Sequence, residues 1–214
     1  YARGPIDSGG RFGGNNPLVS SCQDCHMPKT EGYACHEVFS PVFRPDLPLH
    51  DFNGANTWVL KAVRNLYPDA QTGLTEQSVN DALARTTAML QAACDLELSQ
   101  EQVTYLNVRI VNYAGHKLPT GYPEGRRMWI NVRFLDPHGN LVKEHGAYDL
   151  ATATLDAAET RVYEAKLGLD AAMSAQTGIP AGPSFHMALV NVREFDNRIP
   201  PMGFTNAALE AVGA

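Results

Sequence analysis

The chain has no run of 18 apolar residues, so no helix written in it is long enough to cross a bilayer. It has no surplus of base either. Seventeen Lys and Arg face 23 Asp and Glu, a formal net charge of -6, which argues against nucleic acid as a partner. No internal repeat is visible, and the chain opens at Tyr1 without Met or a leader, which reads as a mature product or a piece of something longer. Cysteine is scarce, with four in 214 residues, and only one pair stands at C-x-x-C spacing. A zinc site would want a second Cys/His pair, and a thioredoxin-type pair would want a βαβ context in place of Gly/Pro-rich flanks.

What is present is Cys22-Gln23-Asp24-Cys25-His26-Met27-Pro28. C-x-x-C-H is the attachment signature of a c-type haem. Two thiols at this spacing can each add to one vinyl group, and the adjacent His26 then falls beneath the iron as an axial ligand. Residues 1–56 are rich in Gly, Pro and Asn and carry almost no periodicity, so they are expected to order around a cofactor and not around a core of their own. Covalent haem and paired cysteines point to an oxidising compartment, periplasmic or extracellular.

Cys35 and Cys94 remain. In such a compartment the simplest expectation is a Cys35–Cys94 disulfide. The alternative is Gly32-Tyr33-Ala34-Cys35-His36, a haem motif lacking its first cysteine, which would hold a second haem by one thioether.

The fold class expected is α+β. A helix is predicted over Trp58–Tyr67, stopped by Pro68, and a stronger one from the Thr75 cap to Cys94. They would pair across Asp69–Leu74. Beyond Cys94 the period becomes two. Leu106–Ile110, Met128–Phe134, Leu141–Tyr148, Thr160–Leu167 and Phe185–Phe195 read as strands, with a turn at Asp136–Asn140 and a short helix at Asp170–Gln176 ended by Gly178. This is the pattern of an antiparallel β-sandwich. Two domains are expected: 1–98, haem loop and helical segment, and 99–214, the β part.

Several stretches resemble multihaem c-type cytochromes of anaerobic respiratory bacteria. They are Cys22–Pro28, Asp46–Phe52 with Gly54–Trp58, Gly115-His116-Lys117-Leu118-Pro119-Thr120-Gly121 with Arg126–Trp129, and Asn197–Phe204. The resemblance implies a distal histidine some tens of residues after the haem motif, and a G-H-x-x-P-T-G hairpin opening a β-sandwich. Members of the group usually carry several complete haem motifs, and this chain carries one. The resemblance also implies cytochromes or other redox proteins as partners, with haem-sharing between chains.

Seven histidines occur. His50, on a loop stiffened by Pro45 and Pro48, and His116, on a Gly/Pro hairpin, are the two candidates for the distal ligand. His50 is favoured for this chain's own haem by its shorter loop closure, and His116 would then serve a neighbouring one. His138 and His145 are expected at the surface, and His186 in the core. Arg126 and Arg127 are candidates to pair haem propionates or, more simply, to pair Glu124 at a strand edge. The function expected is electron transfer by a haem c subunit, because two filled axial positions leave no room for substrate. The alternatives are a haem enzyme subunit with an open distal site, acting on nitrogen oxides or peroxide, and a structural subunit of a multihaem assembly.

Overall fold

The structure is a computed structural model, and it describes residues 5–14, 16–121 and 125–211. The chain mixes helices with antiparallel strands. The contacts gather into two compact units. One comprises Tyr1–His116 with Pro201–Ala214, and the other Lys117–Pro200. The division expected at 98/99 falls inside the strand Cys94–Gln102, and the β-hairpin formed there belongs to the first unit.

The first unit opens with Ile6–Asp7 paired to Leu18–Val19, followed by a five-residue helix at Cys22–His26. Lys29–Tyr33 then pairs with Phe43–Pro48. Helices Val59–Leu66 and Glu76–Ala92 follow, close to their predicted spans. The Thr75 hydroxyl accepts from the Ser78 N–H and so satisfies a backbone donor that the longer helix cannot pair internally. Cys94–Gln102 and Tyr105–Asn112 form a long hairpin with Leu96 opposite Ile110 and Leu98 opposite Val108. The first of these strands escaped the sequence reading because its second half, Ser99 to Gln102, is polar and breaks the alternation.

The buried apolar side chains of this unit are few and small: Val19, Met27, Val79, Val111 and Ala114. Its larger ones, Phe39, Phe52 and Trp58, lie exposed. So small a core stabilises little by itself. Arg11 adds a long-range tie. Its guanidinium makes two hydrogen bonds of 2.8 and 2.9 Å to Asp95 and lies 3.7 Å over the ring of Tyr113.

The second unit holds the strands anticipated from the alternating pattern, paired as small separate antiparallel sheets. Met128–Trp129 joins Val162–Tyr163, Val132–Leu135 joins Leu141–His145, and Ala165–Leu169 lies between Gly182–Pro183 and Val192–Asp196. Asp136 organises the predicted turn by accepting the N–H groups of His138 and Asn140. Ala171–Thr177 is the short helix, capped by Asp170 and ended by Gly178 in the left-handed region, which glycine enters without a steric penalty. The core is Leu118, Ala165, Leu169 and Ile199. Beside it Asp196, with a side chain only 4% exposed, accepts hydrogen bonds from Arg198 and from Lys117. The Arg198 bonds, ahead of those from Lys117, hold its carboxyl well below the usual carboxylate range against the opposing pull of burial.

One expectation fails here. Phe185–Leu189 is turn and not strand, so His186 is exposed instead of packed in the core. Glu124, a proposed partner of Arg126 and Arg127, lies outside the described residues. Arg126 donates to the Thr120 carbonyl at 2.7 Å.

Candidate functional site

The site is built on the helix Cys22–His26 of the first unit. Asp24, inside the motif, makes that helix possible. Its Oδ2 accepts the N–H groups of Ser20 and Ser21 at 3.0 and 2.9 Å, and the Ser21 hydroxyl at 2.9 Å. A carboxylate in the first turn also suits the helix dipole. Burial alone would raise its pKa. The Ser20 and Ser21 hydrogen bonds, aided by Lys29, outweigh that and hold it below its ordinary value. On a helix, residues three and four apart share a face, so Cys22, Cys25 and His26 present together. Cys22 is exposed and Cys25 half-buried.

His26 is held from behind. Its Nδ1 meets the backbone carbonyl of Asn53, which has only lone pairs, so Nδ1 carries the proton and donates. In return the Asn53 N–H donates to the His26 carbonyl at 3.0 Å. Asn53 is buried. These two hydrogen bonds orient the ring, and in the neutral imidazole they place the free lone pair on Nε2, as in histidines that ligate metals.

In front of His26 stands His116. The two ring centroids are 6.3 Å apart with an interplanar angle of 28°. Two imidazoles bound to one metal from opposite sides, with metal–nitrogen bonds of about 2.0–2.1 Å, have ring centres roughly 6–6.5 Å apart. The centroid spacing falls in that range, and the two rings lie stacked. His116 reaches this place because Asn112, at 2% exposure, pins its loop. The Asn112 side chain donates to the His116 carbonyl at 2.9 Å and accepts the Ala114 N–H at 2.8 Å. Its own carbonyl accepts the Met202 N–H at 2.7 Å.

His50, favoured from sequence for this position, is elsewhere. It is exposed, and its ring lies edge-on to Phe52 at 5.8 Å. Loop-closure entropy grows only slowly with length, so the shorter closure that favoured it is a small advantage, and the ring that lies near His26 is that of His116. His36 is also exposed, with its ring against Phe39. Its Nδ1 accepts the Val38 N–H at 3.3 Å. His138 is exposed in its turn, and His145 pairs with Glu159 at 2.9 Å.

The Cys35–Cys94 disulfide is not formed, and both residues are free thiols. Cys94 is held in the ladder opposite Asn112, and Cys35 lies exposed in the turn between Tyr33 and Phe43. A disulfide requires the two β-carbons to converge closely, and these two elements do not bring them together. Burial, with a smaller contribution from Asp95, raises the Cys94 thiol pKa although Arg11 opposes it.

Among the described residues no three His, Cys, Asp or Glu side chains gather as a metal-ion cluster. Cys22, Cys25 and His26 lie on the one short helix Cys22–His26. Sequence reasoning missed Asn53 and Asn112. The only signal was their position at turns, Asn53 before Gly54 and Asn112 before Tyr-Ala-Gly, where Asn bonds to nearby backbone. Comparison of the chain with models of known protein families, with curated proteins and with solved structures finds no match.

Proposed function

We propose that the first unit is an electron-transfer module that carries one haem c. Cys22 and Cys25 would attach it by thioethers, and His26 and His116 would hold its iron from both sides. The observation that carries this reading is the His26–His116 ring pair, with His26 already oriented by the Asn53 carbonyl. When bound, the haem supplies a one-electron couple. The chain's own residues do the rest. The Asn53 carbonyl holds Nδ1 of His26 and so orients its ring, and the Asn112 side chain bonds the backbone of His116. With His26 and His116 both holding the group, no open place would be left on it for substrate, which would favour electron exchange over catalysis.

The exposed Phe39, Phe52 and Trp58 would give a redox partner or the porphyrin an apolar surface. The antiparallel second unit is read as a β-sandwich-like scaffold for docking other cytochromes outside the cytoplasm. Among the described residues no helix is long and apolar enough to cross a membrane.

The test is production in a periplasm equipped for c-type maturation, followed by denaturing electrophoresis with haem staining and by intact mass. Stain that survives denaturation, with a mass increased by one haem, supports the proposal. Haem released into acidified organic solvent contradicts it, and a mass increased by two haems would move Cys35 and His36 into the site.

A further inference from the structure

We propose that Asp51 and Arg85 are positioning residues for His26, acting through the turn that carries the Asn53 carbonyl. The inference rests on the haem reading given above. The segment from Leu49 to Asn53 is tied to the motif stretch Cys22–Pro28 at both ends. The Leu49 N–H donates to the Pro28 carbonyl at 2.9 Å, and the Asn53 N–H to the His26 carbonyl at 3.0 Å. Between these ties the chain makes a tight turn in which Phe52 takes a φ of 46°. A phenylalanine in the left-handed region is strained and persists only when its surroundings fix it. Phe52 itself cannot supply that anchor, being 65% exposed.

The anchor comes from the long helix. Arg85 of Glu76–Ala92 reaches across so that its buried Nε lies 3.2 Å from Asp51 Oδ2. The contact is an ion pair without the alignment of a hydrogen bond, so it acts as a charge tether and not as a rigid fork. It links the long helix to the strained turn. The order of dependence is therefore Arg85 to Asp51, Asp51 to the strained turn, the turn to the Asn53 carbonyl, and that carbonyl to the His26 ring. A firm acceptor at Nδ1–H raises the basicity of the ligating nitrogen and favours the oxidised metal.

The experiment compares the haem-loaded protein with Arg85→Gln, Asp51→Asn and Arg85→Lys. It reads the midpoint potential and the hydrogen exchange of the Asn53 amide. If the pair positions His26, both neutralising variants raise the potential, because both loosen the same carbonyl. Asn53 exchanges roughly two- to fivefold faster, the range that a partly exposed ion pair supplies, and Arg85→Lys restores most of each value. A bare charge effect predicts opposite signs, since one variant removes a positive and the other a negative charge. Shifts of opposite sign, or an unchanged potential with only a lower melting temperature, would overturn the inference. If the wild type carries no haem the proposed function fails. Asn53 exchange then decides the clamp alone, and unchanged exchange rejects it.

Discussion

The Asn112 side chain and the backbone of His116 are joined by a 2.9 Å hydrogen bond in which Asn112 donates. The same side chain accepts from Ala114, so a single buried amide sets the course of the loop that ends at His116. Asn112→Ala removes both bonds. The expected loss is about 2–3 kcal/mol of stability, read from the denaturant midpoint of the haem-loaded protein. It should be accompanied by easier displacement of the sixth ligand by added cyanide. Unchanged stability and unchanged cyanide binding would show that His116 needs no such clamp.

Asp196 gives the second unit a pH dependence of known sign. Its folded pKa is depressed below the unfolded value of about 3.9. The stability it contributes is therefore fully present above that value and is lost as pH falls beneath it. Asp196→Asn should cost about 2 kcal/mol at neutral pH. The difference from wild type should shrink steadily as the melts are carried below pH 4. A gap that stays constant down to pH 2 would mean the carboxylate charge plays no part.

The free thiols make a kinetic prediction. Exposed Cys35 should be alkylated quickly by iodoacetamide at pH 8. Half-buried Cys94, whose pKa is raised by burial, should follow much more slowly. Two modified cysteines per chain are expected in the denatured, haem-loaded, unreduced protein. Zero would restore the disulfide that the sequence suggested.

Local patterns were legible in the sequence wherever one physical rule dominates. Thr75 and Asp170 mark helix starts through their capping oxygens, and Gly178 marks a stop. Leu106 to Ile110 alternates because one face of the hairpin is apolar. The C-x-x-C-H spacing singled out Cys22, Cys25 and His26 as candidates. Which histidine would face His26 was not legible, because the answer depends on where the hairpin Cys94–Asn112 delivers its end. That depends in turn on Asn112, a residue whose side-chain bonds are invisible in composition. The polar end of Cys94–Gln102 hid a strand, and the apolar run at Phe185–Leu189 suggested one where the chain turns.

The central claim is that His26 and His116 share one metal. Replacing His116 and His50 separately by Ala, and recording absorption and electron paramagnetic resonance spectra of the haem-loaded proteins, tests it most directly. The account predicts a low-spin, bis-histidine spectrum in the wild type and in His50→Ala, and conversion to high spin in His116→Ala, with low spin restored by added imidazole. A wild type that is already high spin, or loss of the low-spin spectrum only in His50→Ala, would contradict it.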